Sequence, residues 1–209
     1  MKKTIFFIDK ALPCLFLWVM KLICLVAEVL KSRPKQTLTF MFCIIVFISN
    51  AQQSAKKLSV GDKLPAEFWV KKHQIYFQGK AKQEDLSQFK GRFVILDFWA
   101  TWCGSCLKKF PLIDSVSVEG GIKFLLVNSI TTGDKLDQIK SKLDTVRYPN
   151  LQKNVPVIFD DEFLLSSFPN YLLPHYVWID PSSRIIAITE GDLFTKDSLR
   201  TISEKNNKK

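Results

Sequence analysis

Two cysteines stand two residues apart in "DFWATWCGSCLKKFP", Asp97 to Pro111, behind an apolar run. That spacing serves three chemistries: half of a metal site, a structural disulfide, or a working redox pair. A zinc knuckle needs four ligands, and the region after residue 51 offers Cys103, Cys106, His73 and His175, with no second CxxC. A disulfide-stapled scaffold needs more cysteines, farther apart. The remaining three, Cys14, Cys24 and Cys43, all lie in a hydrophobic N-terminal stretch. The redox reading asks for a thiolate. Cys103 to about Val118 reads as a helix, with Pro111 inside it predicting a kink. Cys103 at its start faces unpaired backbone N–H groups and the positive dipole end, and Cys106 follows one turn deeper on the same face. A thiol pKa lowered from ~8.5 to ~7 raises the thiolate roughly fifteen-fold while intrinsic nucleophilicity falls. The larger effects are on leaving-group ability and redox poise.

The surrounding elements must hold that pair. "RFVILDFWA" (92–100) and "IKFLLVNSI" (122–130) are apolar, β-branched runs of the kind buried in a sheet covered on both faces. "VPVIFD" (155–160) reads as a further strand and "DEFLLSSF" as a short helix. "YVWID" and "RIIAIT" flank the turn "PSS" and predict an antiparallel hairpin. Upstream, "LSVGDKLPAEFWV" opens the domain, "QIYFQGK" alternates like an edge strand or hairpin, and "DLSQFKG" predicts a helical turn ending at Gly91. Leu136, Ile139 and Leu143 give "GDKLDQIKSKLDTV" (133–146) a helical stripe, and "TKDSLRTIS" (195–203) predicts a closing helix. Strand and helix alternate before a hairpin and helix, which defines an α/β sandwich of mixed sheet. Trp69, Phe98 and Trp99 are core residues in this pattern, and His73, without a visible partner, is expected on the surface.

The N-terminal region reads as an address. Residues 38–51, "LTFMFCIIVFISNA", follow Lys31, Arg33 and Lys35 and match a signal-peptide core, with small residues Ser49 and Ala51 before a cut at Gln52. The upstream segment 11–30 contains Pro13, Lys21 and Glu28, which are costly at mid-membrane. Two expectations follow: a translation start downstream of Met1, or a membrane hairpin that tethers the domain. The predicted division is therefore an export or anchor region over 1–51, a domain over 52–206 and a disordered tail over 207–209. Residues 1–51 hold seven Lys/Arg and two Asp/Glu, leaving 23 against 18 beyond them. Those basic residues are dispersed, with no aromatic-interleaved stripe, which argues against nucleic acid as a partner.

"FVILDFWATWCGSC" closely resembles the thioredoxin superfamily, and "VGDKLP…DLSQFKGRFVILDFWATWC" resembles its exported TlpA/ResA-like branch. The resemblance covers roughly Leu58 to Ser203. It implies a thioredoxin-like fold, a mixed β-sheet sandwiched by helices with an N-terminal strand or hairpin extension and an inserted βα unit. It also implies that Cys103 is the exposed nucleophile and Cys106 the resolving thiol, with buried Asp97 passing a proton to or from Cys106. Trp99 and Trp102 match the family's tryptophans beside the site, and Pro111 its helix-kinking proline. Pro174 in "LLPHYVWID" stands where the family places a cis-proline facing the CxxC, which would offer the Leu173 backbone to a substrate chain. Trp102, Gly104, Ser105, Leu173 and His175 are then the substrate-facing residues. The implied partners are protein clients carrying disulfides or dithiols and a membrane thiol carrier that recharges the pair; no cofactor is called for.

Three departures qualify that likeness. Ser105 replaces the proline common between the cysteines, Lys109 occupies a position where the branch often carries glutamate, and His175 stands where a small hydroxyl residue is common. The expected function is reduction of protein disulfides in the periplasm. A disulfide oxidase or isomerase is the alternative within that chemistry, and a client-binding module or metal chaperone the alternative outside it. Asp97 as an ordinary core aspartate, and Lys108 and Lys109 as a solvated helix face, are the plainer readings of those residues.

Overall fold

Seven strands form one mixed sheet, lying side by side in the order Lys80–Glu84, His73–Phe77, Val157–Asp161, Ile122–Ser129, Phe93–Phe98, His175–Ile179 and Ile185–Glu190. The computed structural model describes residues 57–119, 121–143 and 147–207. The N-terminal segment expected to serve as an export or anchor region, residues 1–51, and the final two lysines fall outside the described residues. Among the described residues, no helix is long and apolar enough to cross a membrane.

The chain enters with helix α1 (Ala66–Val70), then hairpin β1 (His73–Phe77) and β2 (Lys80–Glu84). A 3-10 turn at Ser87–Phe89 leads into β3 (Phe93–Phe98), followed by α2 (Gly104–Leu107) and α3 (Phe110–Ser117). Next come β4 (Ile122–Ser129), a 3-10 turn (Ile130–Thr132), α4 (Leu136–Lys142), α5 (Leu151–Asn154), β5 (Val157–Asp161) and α6 (Phe163–Ser167). The chain finishes with β6 (His175–Ile179), β7 (Ile185–Glu190), a 3-10 turn (Gly191–Leu193) and α7 (Lys196–Asn207).

Every residue of β3 is buried, as its unbroken apolar run requires of a strand with both faces covered. β3 runs parallel to β4 and antiparallel to β6, and β4 runs parallel to β5. The period-two alternation sends Phe93, Ile95 and Trp99 into one core cluster with Cys106, Phe110 and Tyr176. Val94, Leu96 and Phe98 go to a second cluster with Phe68, Leu125 and Val177 on the opposite face. Each strand and hairpin expected from the sequence is present. The helix expected over 133–146 is shorter, and the closing helix expected over 195–203 runs to Asn207. Helices α1 and α5, of five and four residues, carry no periodic stripe long enough to read in advance.

Candidate active site

The buried strand β3 delivers Asp97, and the chain then turns sharply to present the cysteines. Trp99 N–H still pairs with Val127 C=O, continuing the ladder one step past the strand. Cys103 N–H binds Ala100 C=O, which closes the turn, and Cys103 becomes the N-cap of α2 with an extended backbone. Its sulfur accepts the Cys106 N–H at 3.2 Å, while Ser105 Oγ lies 3.4 Å away. Cys103 and Cys106 are joined as a disulfide with their Cα atoms 5.3 Å apart. Cys103 keeps 5% of its surface exposed and Cys106 none, so attack from outside reaches Cys103 first.

The expected long helix is broken. α2 lasts four residues and α3 begins at Phe110, with Pro111 in its first turn, where a missing N–H costs nothing. One turn of helix has little macrodipole. Stabilisation of sulfur charge at Cys103 therefore falls to the local Cys106 N–H rather than to a long dipole.

Asp97 is fully buried, and neither carboxylate oxygen has a hydrogen-bond partner. Alternation along β3 places its side chain on the same face as Ile95 and Trp99, the face that also contains Cys106. Loss of solvation pushes its carboxyl well above the usual carboxylate range. Its cross-strand neighbour Tyr176 likewise has a buried hydroxyl without a partner. Burial, and then the Asp97 charge, drive the tyrosine upward. Buried polar groups are normally paired, so this concentration of unpaired ones behind the disulfide asks for a functional explanation.

The Leu173–Pro174 peptide is cis, and Pro174 is buried immediately before β6. Leu173 C=O lies 3.5 Å from Ser105 Oγ, so the proline loop and the Cys-Gly-Ser-Cys turn meet. A Cβ added to Gly191 would come within 3.0 Å of Pro174 Cγ, so this glycine is there for close approach. Trp102 (66% exposed), just before Cys103, Tyr171 (99%) and Leu172, just before Pro174, and Leu193, just after Gly191, are large apolar side chains open to solvent.

Two histidines depart from expectation. His175 lies on the other side of the sheet, its ring edge-on to Phe98 at 5.5 Å, because Tyr176 takes the Asp97 face and alternation sends its neighbour away. Burial lowers its pKa, partly offset by Glu190 opposite it on β7. The structure therefore does not bring His175 to the sulfurs. His73 is not on the surface: it is buried in β1, with Nδ1 2.5 Å from Asp161 Oδ2. Its partner lies 88 residues along the chain, beyond any local reading. Among the described residues, no three His, Cys, Asp or Glu side chains are grouped as a metal site.

Lys109, in the position expected of a glutamate, sends its Nζ to Phe194 C=O at 3.0 Å and ties α3 to the segment after β7. Lys108 is exposed, as a solvated face requires. The sequence reading passed over Asn128, Thr132 and Asp134, which hold the turn before Cys103. Asp134 Oδ2 accepts from Thr101 N–H and Asn128 Nδ2, each at 2.7 Å, and Oδ1 accepts from Thr101 Oγ1. The signal was there: "NSITTGD" is a polar cluster directly after a buried strand.

The fold and the paired cysteines are those of a thioredoxin-fold thiol–disulfide oxidoreductase. The chain belongs to the Redoxin family, whose pattern it matches over residues 59–202. It is 28% identical over 153 residues to the thiol-disulfide oxidoreductase ResA of Oceanobacillus iheyensis, a match spanning 72% of this chain and 74% of that protein. The ResA of Bacillus subtilis is 25% identical over 113 residues, 54% of this chain and 60% of the relative. The thioredoxin domain of a thiol-disulfide oxidoreductase from Bacteroides vulgatus superposes with a TM-score of 0.51 at 23% identity, covering 72% of this chain and 100% of that one, and shows the shared fold.

Proposed function

We propose that the protein is exported and reduces disulfides in protein clients of the periplasm. The observation that carries this reading is Asp97, a buried carboxyl without partners on the sheet face that holds the cysteine pair. In the dithiol form, the Cys103 thiolate attacks one sulfur of a client disulfide, and the other client sulfur leaves and takes up a proton. The resulting mixed disulfide is resolved when Cys106 gives its proton to Asp97 and attacks Cys103 Sγ. The second client sulfur departs as a thiol, and the Cys103–Cys106 bond remains. The client has gained two electrons and two protons; a membrane thiol carrier returns them to the pair. Pro174 and the Leu173 backbone bound the groove in which an extended client segment lies, and a rim of Trp102, Leu172 and Leu193 covers its apolar side chains. Gly104 and Ser105 form the floor of that contact, and Ser105 tunes the potential, with ~30 mV equal to a tenfold change in the redox equilibrium. Export is supported by the apolar segment ending at Ala51.

The test uses insulin as the model disulfide. The reduced protein should convert it stoichiometrically, and Cys106→Ser should retain it as a mixed disulfide on Cys103. Absence of that adduct would remove Cys103 as the attacking sulfur. Catalysed formation of disulfides at the compartment's potential would reverse the assigned direction.

A further inference from the structure

The geometry assigns Asp134 as a positioning residue for Cys103, acting through Thr101; this rests on the redox reading of the cysteine pair. Gly133, at φ 71°, takes the left-handed turn that brings the chain after β4 back over the β3–α2 turn. Asp134 then receives three hydrogen bonds. Thr101 N–H and Asn128 Nδ2 donate to Oδ2 at 2.7 Å each, and Thr101 Oγ1 donates to Oδ1 at 2.5 Å. Asn128 Nδ2 also reaches Trp99 C=O at 3.3 Å. Thr132 Oγ1 lies 2.8 Å from Asn128 Oδ1 and accepts Asp134 N–H at 3.3 Å. The Trp102 indole N–H donates to Thr132 C=O at 3.2 Å. One loop thus grips Trp99, Thr101 and Trp102, the residues that lead into Cys103.

The backbone explains why that grip matters. Trp99 N–H is held by β4 and Cys103 N–H by Ala100, whereas Thr101 N–H turns to Asp134. Thr101 is itself buried, so removing the carboxylate orphans a buried N–H and a buried hydroxyl two residues before the sulfur. The turn would rearrange to pair them, and Cys103 would lose the register in which its sulfur meets Cys106 N–H. Asp114 offers a matched contrast. It also receives three hydrogen bonds, from Asn150 N–H, Leu151 N–H and Asn150 Nδ2, but joins α3 to the start of α5 and does not grip the turn leading into Cys103.

The test is the pH dependence of Cys103 alkylation in the reduced full-length protein, together with its equilibrium with glutathione. Asp134→Asn keeps the geometry: the amide oxygen accepts from Thr101 N–H and Asn128, and the amide N–H donates to a rotated Thr101 hydroxyl. It therefore reads the loss of charge alone. Asp134→Ala should place the alkylation midpoint about half a pH unit or more above that of Asp134→Asn, with a shift of roughly three-fold or more in the glutathione equilibrium. Asp114→Ala should lower Tm while leaving both readouts at parental values. Coincident profiles for Asp134→Ala and Asp134→Asn, with a Tm loss like that of Asp114→Ala, would reduce Asp134 to a loop cap and overturn the assignment. If Asp134→Ala does not fold, Thr101→Val carries the test, since it removes one bond of the three; an unchanged midpoint there overturns it equally. No client takes part in these measurements, so a parent that fails to reduce insulin would defeat the proposed function without deciding this one.

Discussion

Asp97, within β3, and Asp161, at the end of β5, are both buried acids of one sheet, and the molecule treats them in opposite ways. Asp161 is satisfied twice, by His73 through Oδ2 and by the N–H of Leu164 through Oδ1, where it also starts α6. Asp97 is buried more completely and has no partner for either oxygen. The first arrangement fastens β1 to the end of β5. The second is costly to fold and would persist in a merely structural aspartate only with compensation elsewhere. The acid that joins two strands is paired; the acid on the face that holds the cysteine pair is left unpaired, as the proposed proton relay requires.

The largest effect should come from breaking that contrast at Asp97. If Asp97 takes the proton of Cys106 as proposed, Asp97→Asn should lower turnover about 10²-fold or more, with the mixed disulfide persisting. Unchanged turnover would return Asp97 to the core. The same variant should fold more stably at neutral pH. A carboxyl whose folded pKa is raised holds its proton more tightly in the folded chain, so its penalty is absent below the unfolded value and grows as pH rises toward the folded one. The Tm gain of Asp97→Asn over the parent should therefore be larger at pH 7 than at pH 4, by about 2–4 °C for each kcal/mol relieved in a chain of this size. A gain that does not vary with pH would show that the asparagine helps for another reason.

On the paired side the signs reverse. His73→Ala leaves the buried Asp161 Oδ2 without its hydrogen bond and should cost about 1–3 kcal/mol of stability. Alkylation of Cys103 should stay at the parental rate, measured well below the lowered Tm. An altered rate would mean that the pair communicates with the active site and that the division between the two acids is false. The smallest effect concerns Gly191→Ala, whose methyl would press on Pro174 Cγ. Overpacking of about 1 kcal/mol is expected there. It should appear as a few-fold rise in KM for insulin with the glutathione equilibrium unmoved; a shifted equilibrium would place Gly191 among the groups that act on the sulfurs.

How much of this could be read from the residues depended on range. β3 and β4 announced themselves because an unbroken apolar run suits a strand buried on both faces, and the hairpin at Pro181–Ser183 because its turn residues are local. The cysteine pair came with β3, whereas the place of Asp97 in the site came by resemblance. Pro174 was legible by resemblance, since nothing in "LLPHY" itself marks a cis bond. What escaped was long-range or fine-grained. His73 and Asp161 meet only after the sheet has formed. His175 was misplaced by one residue of alternation, which flips a side chain to the other face. Asp134 was visible as part of a polar turn, but its hold on Thr101 depends on Gly133 bending the chain back, which spacing alone does not reveal.

The outer strand β2 carries a consequence of its own. Lys80-Ala81-Lys82-Gln83-Glu84 is exposed over four of its five residues, with Lys82 paired to Glu84 and, just beyond the hairpin, Lys72 paired to Asp85. A sheet whose outer strand is left open runs the hazard of collecting extended segments there, and the proposed groove beside Leu173 would bring such segments close. Lysines along β2 make that border inhospitable to an incoming strand. The charged border thereby guards the flank against aggregation by strand addition, whatever the chain binds elsewhere.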